Sequence, residues 1–254
     1  ARAAITQPKL AARIREHCPQ LEWIAITATD AGDSPQPGTA PSPSECFDTL
    51  YADEPAPARR PNPNDPALIM FTTGTTSRPK AVLWTHGNIL WGGQMSAMHQ
   101  AVRCEDVYQV FLPVYHVVGF SWAFLAAMWA GASVVLQPRF SGSRFWPVAL
   151  KHKCTLSAQV HFTAGVLAKQ EIPKHHFRQF ETGIFMPSIA ATFGVREVSG
   201  WGMTEMVSQP ITGEPWSAQV NKSIGRPAPG YGVVVEDDNR NPVQPGETGH
   251  LKIL

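Results

Sequence analysis

Between Asp65 and Val160 the chain alternates short apolar runs with longer stretches of helical length, and that alternation narrows the fold more than any other feature. The runs "ALIMF" (67–71), "AVLW" (81–84), "VYQVFLP" (107–113), "SVVLQ" (133–137) and "TLSAQV" (155–160) have strand length. Residues 88–102, 118–130 and 143–152 separate them as helical stretches. Strand and helix in turn point to an α/β layer architecture. The unbroken apolar character of "ALIMF" predicts a strand covered on both faces. Upstream, Pro8 near a first helical position predicts a helix over 8–17, and "WIAIT" (23–27) reads as a short buried strand. Downstream, "YGVVVEDD" and "GHLKIL" flank the turn-rich "NRNPVQPGET", a pattern of antiparallel β-structure.

Residues 31–66 carry nine prolines among Gly, Ser and Asp, too few periodic apolar residues to build a core. That segment is the expected linker and internal boundary. The 43% apolar and 16% charged composition suits a packed globular chain, and a net charge of +1 offers no basic field for nucleic acid or an anionic membrane. Four scattered cysteines form no C-x-x-C pair, so neither a zinc site nor a disulfide framework is expected, and a reducing cytoplasm is the default. The uncharged stretch Val117–Leu136 is long enough to span a bilayer. The competing reading is a buried helix to Trp129, a turn at 130–132 and a strand, favoured by the glycine at that turn and the lack of a flanking basic cluster. The chain opens without methionine or an apolar signal core and stops within a strand-like run, so it reads as part of a longer protein.

Several segments have the residue types for chemistry. In "FTTGTTSRPKAV" (71–82) a strand runs into a loop of hydroxyls whose backbone and side-chain donors suit an anion, with Lys80 as countercharge. It lacks the G-x-x-x-x-G-K-[ST] spacing of a Walker loop, and a threonine-rich turn that merely caps the next element is the plainer reading. In "SGWGMTEM" (199–206), Glu205 sits in a weakly charged neighbourhood where Mg²⁺ is one candidate partner and an ordinary helix cap the other explanation. His116 in "FLPVYHVVGF" follows a strand at the ligand-facing edge of an α/β sheet, a place where a structural histidine is also common. The "SIGRPAPGYG" region reads as β-scaffold, since no helix follows the glycines. His175 and His176 read as solvated helix surface.

Taken in order, "FTTGTTSRPKAV", "LPVYHVVG", "GWGMTE" and "SIGRPAPG…PGETGHLKI" resemble the adenylate-forming superfamily of acyl-CoA synthetases, adenylation domains and luciferases. The similarity covers most of Asp65–Leu254, and "FSGSRFWPVALKHKCT" looks most like carboxylate–CoA ligases of the crotonobetaine/carnitine type. The resemblance implies a layered αβ large domain ending in an antiparallel β-rich, distorted-barrel portion, with the small C-terminal domain absent from this chain. It implies residues 1–60 as the end of a first subdomain plus linker, 61–221 as a second αβ subdomain, and 222–254 as the start of the β-rich one.

The implied reaction activates a carboxylic acid with ATP as an acyl-adenylate and then forms the coenzyme A thioester. Loading of a carrier-protein thiol, or an inactive relative that only binds nucleotide or acyl ligand, are the alternatives. ATP, Mg²⁺ and coenzyme A are the implied cofactor and co-substrates. By the same resemblance Thr72, Thr73, Gly74, Thr75, Thr76 and Lys80 would hold the β- and γ-phosphates, and Trp201 would stack on adenine in place of the usual tyrosine. Gly202 would leave room for the acyl group, Thr204 would contact the α-phosphate and Glu205 would ligate Mg²⁺. His116 would lie beside the carboxylate; Lys80, His116, Thr204 and Glu205 form the implied catalytic set.

The pattern departs from the family where Ser77 and Ala81 replace glycines. A serine forced to positive φ would cost on the order of 1 kcal/mol. "ETGIFMPSIAATFG" stands in place of the glycine-rich adenine segment, with only Gly183 and Pro187 suggestive. The ribose-binding aspartate, the hinge and the late lysine would fall beyond Leu254.

Overall fold

The structure, a computed structural model, describes residues 1–30, 41–72 and 78–254. It divides into two units, Ala1–Arg60 and Pro61–Leu254.

In the first unit, strand β1 (Ala3–Thr6), helix α1 (Pro8–His17) and strand β2 (Trp23–Ile26) form one parallel βαβ turn, with Ala3 opposite Trp23. Pro8 sits in the first turn of α1, where its missing N–H costs no helical bond, and Arg15 and His17 lie in the last turn, where the helix dipole favours them. The proline-rich stretch is more than a linker. Short 3₁₀ turns span Pro43–Glu45 and Phe47–Leu50, and Cys46 bridges Ile26 in the first unit.

The second unit begins with an antiparallel ribbon of β3 (Pro66–Thr72) and β4 (Lys80–Thr85). Met70 and Trp84 are buried on one face, whereas Ile69 and Phe71 are 54% and 68% exposed. The expected two-sided cover of "ALIMF" is therefore not found, because a two-stranded ribbon packs through one face only. Helix α2 (His86–His99) starts in a reciprocal cap: Thr85 Oγ1 accepts the Asn88 N–H at 3.2 Å and Asn88 Oδ1 accepts the Thr85 N–H at 3.0 Å.

Strand β5 (Val107–Val110) is followed by a π-helix (Val118–Leu125) that continues into α3 (Ala126–Ala130). Gly131 ends α3 at φ 72°, as a left-handed C-cap requires. Next come β6 (Ser133–Leu136), α4 (Gly142–His152), β7 (Leu156–Ala158), α5 (His161–Leu167), β8 (Gln179–Thr182), α6 (Pro187–Phe193) and β9 (Arg196–Trp201). The short strands β10 (Ile211–Thr212) and β11 (Arg226–Pro227) complete a sheet of order β11-β10-β9-β8-β7-β5-β6. Strands β5 to β9 pair in parallel, and β10 and β11 add antiparallel. The chain closes with the antiparallel ribbon of β12 (Val233–Glu236) and β13 (His250–Ile253), as expected.

Helices cover both faces of the sheet. Tyr108, Val110, Leu156 and Ala158 pack against Ala123 and Ala127 of the π-helix and α3. On the opposite face Phe180 meets Phe145, Trp146, Leu167 and Phe193 from α4, α5 and α6. His175 lies in loop rather than helix: it stacks on Trp146 at 5.4 Å and its Nε2 is 2.9 Å from the Phe193 carbonyl, so it is a packing residue and not solvated surface. Among the described residues no helix is long and apolar enough to cross a membrane.

From β5 the chain turns outward to β6, then crosses back to β7 on the other side. The carboxyl ends of β5 and β7 thus face a topological switch point, where open α/β sheets place ligands.

Candidate active site at the switch point

Three segments distant in sequence share one small core at this end of the sheet. Met70 and Trp84 come from the β3–β4 ribbon, Val117 and Trp122 from the region after β5, and Val207 from the turn after β9. Each lies beside a residue singled out by the sequence.

On the ribbon, Thr72 and Lys80 stand opposite each other as the last pair of the register, Thr72 half-buried and Lys80 exposed. Thr73, Gly74, Thr75, Thr76 and Ser77 lie outside the described residues. Ala81 pairs with Phe71 in extended strand, away from the positive-φ region, so the alanine there imposes no backbone strain.

His116 follows β5 at the surface. Its Nδ1 accepts the Val118 N–H at 3.3 Å, which leaves the ring proton of the neutral form on Nε2. Burial of part of the ring pushes its pKa below the ordinary histidine value, in the same direction as that hydrogen bond.

The "GWGMTE" turn leaves β9 at Trp201, which is half-buried and pairs with Ile211. A Cβ on Gly202 would come within 2.8 Å of the Trp122 ring and 2.9 Å of the Ser208 carbonyl. The glycine thus serves a close approach within the turn's own packing. Thr204 is buried and opens a 3₁₀ turn, Thr204–Met206. Its carbonyl accepts the Trp84 Nε1–H at 3.0 Å, joining the turn to the ribbon across 120 residues. Glu205 on the same turn is exposed, so burial places no demand on it for a countercharge. Val207 sits at φ 63° and ψ -48°, a positive-φ conformation costly for a β-branched residue. The "GYG" segment, read as scaffold, supplies Tyr231, whose hydroxyl donates to the Met206 carbonyl at 2.8 Å.

The segment "ETGIFMPS" forms the passage from β8 into α6, with Pro187 in the first helical turn. Phe185 and Lys222 exchange backbone contacts with Ser223 and Phe185 at 2.9 and 2.8 Å, tying this loop to the later chain. An apolar cavity of about 230 Å³ between α5 and α6 is lined by His161, Gly165, Met186 and Phe193 among others, and not by Lys80, His116, Trp201, Gly202, Thr204 or Glu205. Among the described residues no three His, Cys, Asp or Glu side chains converge as a metal cluster. Glu205 as one carboxylate ligand would fit Mg²⁺ that takes its other ligands largely from water and substrate phosphates.

Sequence reasoning missed Trp84, Val207 and Tyr231, which hold the turn. Their signals were faint: a tryptophan ending a strand run, and an aromatic between two glycines.

The sequence profile of the AMP-binding enzyme family matches residues 1–253. A crotonobetaine/carnitine–CoA ligase of Shigella flexneri serotype 5b is 34% identical over 200 residues, which are 75% of this chain and 39% of that protein. The same ligase of Salmonella typhi is 33% identical over 202 residues, 75% of this chain and 38% of that protein. The chain thus spans about two fifths of the length of these curated relatives. Among solved structures, an anthranilate CoA ligase in complex with anthranoyl-AMP superposes with TM-score 0.84 at 20% identity, over 100% of this chain and 50% of that one. The O-succinylbenzoate coenzyme A synthetase of Bacillus subtilis in complex with AMP gives 0.73 at 22%, over 99% and 74%. At such identity the likeness establishes the fold, the layered αβ large domain of adenylate-forming enzymes. The chain belongs to the AMP-binding enzyme family.

Proposed function

We propose that this chain carries the acid-activating part of an ATP- and Mg²⁺-dependent carboxylate–CoA ligase. The observation that carries the reading is the shared core of Met70, Trp84, Val117, Trp122 and Val207, which gathers three chemistry-bearing segments at the switch point. In the first half-reaction a carboxylate oxygen attacks the α-phosphorus of ATP, and pyrophosphate leaves with the electron pair of the broken P–O bond. In the second the coenzyme A thiolate attacks the acyl carbonyl and AMP leaves.

Lys80 and Thr72, the last pair of the β3–β4 register, would neutralise and orient the β- and γ-phosphates, together with Thr73, Gly74, Thr75 and Thr76. Trp201 offers an indole face to adenine. Thr204 would contact the α-phosphate, its backbone fixed by Trp84. His116, neutral with a proton on Nε2, can donate to a developing anionic oxygen without adding a net charge. Mg²⁺, when bound beside Glu205, supplies charge neutralisation on the phosphates. In domain terms, residues 61–221 would form the activating αβ subdomain and 222–254 the first part of a β-rich one. The four free thiols fit a reducing cytoplasm.

The test supplies the full-length parent with ATP, Mg²⁺ and a panel of carboxylic acids and follows pyrophosphate release with and without coenzyme A. Acid-dependent release, followed by a thioester only when coenzyme A is present, is expected. No release with any acid overturns the reading.

A further inference from the structure

Beneath the 202–210 turn, polar side chains cross the sheet face that α2 and the π-helix cover. Gln209, Glu181, Tyr108 and Gln100 are each at most 3% exposed. Gln209 Nε2 donates to Glu181 Oε1. Tyr108 Oη donates to Gln100 Oε1 at 2.8 Å and also lies 3.4 Å from Glu181 Oε2. Gln100 Nε2 donates to the Trp122 carbonyl at 2.6 Å. Gly200 makes room for the row: a Cβ there would sit 2.8 Å from Gln209 Nε2 and 3.4 Å from Glu181 Oε1.

The single phenolic proton of Tyr108 cannot serve Gln100 and Glu181 together. With that proton on Gln100, the contact to Glu181 is satisfied when Glu181 Oε2 carries a proton and donates to the phenol oxygen. Burial favours the same state, raising the Glu181 pKa to about 8. The row then runs in one sense from Glu181 to Trp122, with Gln209 attached at its head. Its two ends reach the same turn: Gln209 follows Ser208, and the Trp122 ring packs where a Gly202 Cβ would be.

We propose that neutral Glu181 is a positioning residue: through Gln209 it fixes the turn that carries Thr204 and Glu205, and through Tyr108 and Gln100 it ties that turn to the π-helix following His116. The inference rests on the ligase reading for its kinetic readout but not for its structural one. Among the described residues, the ionisable group that acts on Glu181 is Tyr108 from β5, and the Asp106–Arg178 pair acts on Tyr108 along the sheet; on α2, His99 is the sequence neighbour of Gln100. Tyr108 is raised well above the ordinary phenol value, mainly by burial, and burial lowers His99, so neither titrates where Glu181 does.

The test uses the full-length parent, with kcat for pyrophosphate release measured across neutral and alkaline pH and amide hydrogen exchange measured over residues 203–209. Wild-type kcat is expected to fall as pH rises through about 8, when Glu181 ionises. Glu181→Gln, whose amide reproduces the neutral acid's donor and acceptor, is expected to lack that fall and keep the wild-type exchange. Glu181→Leu is expected to lower kcat by roughly 10- to 100-fold, the scale of an ångström-level misplacement, and to speed exchange at 203–209. Tyr108→Phe, which breaks the row at one link, stands in if the leucine variant does not fold. An unchanged alkaline fall in Glu181→Gln, or unchanged exchange in both disruptive variants, overturns the proposal. If no acid gives turnover, the ligase reading fails and the exchange comparison still decides this one.

Discussion

Trp84→Phe should loosen the 202–210 turn at a single atom. The indole of Trp84 is 1% exposed, and its Nε1–H is the group that reaches the Thr204 carbonyl at 3.0 Å. Replacement leaves a buried carbonyl without that donor, a cost of about 1–3 kcal/mol. The smaller ring adds about 1–2 kcal/mol in lost contacts and cavity. Trp146→Phe supplies the control, since Trp146 is 5% exposed in the core on the other sheet face and its Nε1 makes no hydrogen bond. That variant should lose only the ring contribution. Native-state hydrogen exchange of the β4 and β9 amides in the full-length parent reads the difference segment by segment. Trp84→Phe should lose more protection there than Trp146→Phe loses around β8, by about 1–3 kcal/mol. Pyrophosphate release should fall by roughly 10- to 100-fold in Trp84→Phe, because Thr204 shifts, and remain near wild type in Trp146→Phe. Equal losses of protection in the two variants, with unaltered turnover in both, would refute the claim that this hydrogen bond holds the turn.

Protonation of His116 removes the Nδ1 acceptor, and its pKa is already lowered by burial. The folded state therefore binds that proton less readily than the unfolded one, so stability should decline as pH falls below the unfolded value of about 6.5, and the adenylation rate as pH falls through the lower folded value. His116→Gln should flatten that acid limb of the rate profile. Val207 at φ 63° and Val117 pack into the same core, so Val207→Gly should destabilise less than Val117→Gly by about 1 kcal/mol, read by exchange of neighbouring amides. Arg178→Met leaves Asp106, 2% exposed, without its partner at 2.5 Å and should cost about 3 kcal/mol. Burial opposes ionisation of Asp106, but hydrogen bonds from Arg178, the Arg103 amide and Thr155 outweigh it and hold the pKa low. That stability is present above the unfolded Asp pKa and lost as pH falls through the folded one, so the Arg178→Met deficit should shrink in acid. Glu205→Gln should raise the Mg²⁺ concentration needed for half-maximal adenylation, and an unchanged Mg²⁺ curve would remove Glu205 from the metal.

The interior strand β5 was legible because burial on both faces favours a mostly apolar run, interrupted there only by Gln109, and the edge strand β6 because its short apolar run stands between turn residues. The same rule failed at "ALIMF", whose apolar residues sit on a ribbon with Phe71 turned outward; pairing partners, not composition, set that outcome. The π-helix was hidden because an apolar run such as Val118–Leu125 has no polar face to reveal its period. At the candidate site, Lys80, His116 and Glu205 could be singled out since charge and position relative to strands are local properties. The bond from Trp84 to Thr204 and the row from Gln209 to Trp122 depend on which strands lie side by side, and no local pattern encodes that. Glu181 in "QFETG" was the one warning, an acid within a strand of otherwise buried character.

The core of Met70, Trp84, Val117, Trp122 and Val207 also has a kinetic meaning. Its members come from stretches separated by more than a hundred residues at the widest, as in the 120-residue span of the Trp84–Thr204 bond. Contacts of such high sequence separation bear the full entropy of loop closure before they return any stability, so they belong to the late stages of folding. A chain that has formed its helices and the first strand pairs still has no assembled place for a nucleotide. Nucleotide binding would then act on the finished fold alone and draw the population toward it by mass action, with half-folded chains left neither stabilised nor able to consume ATP.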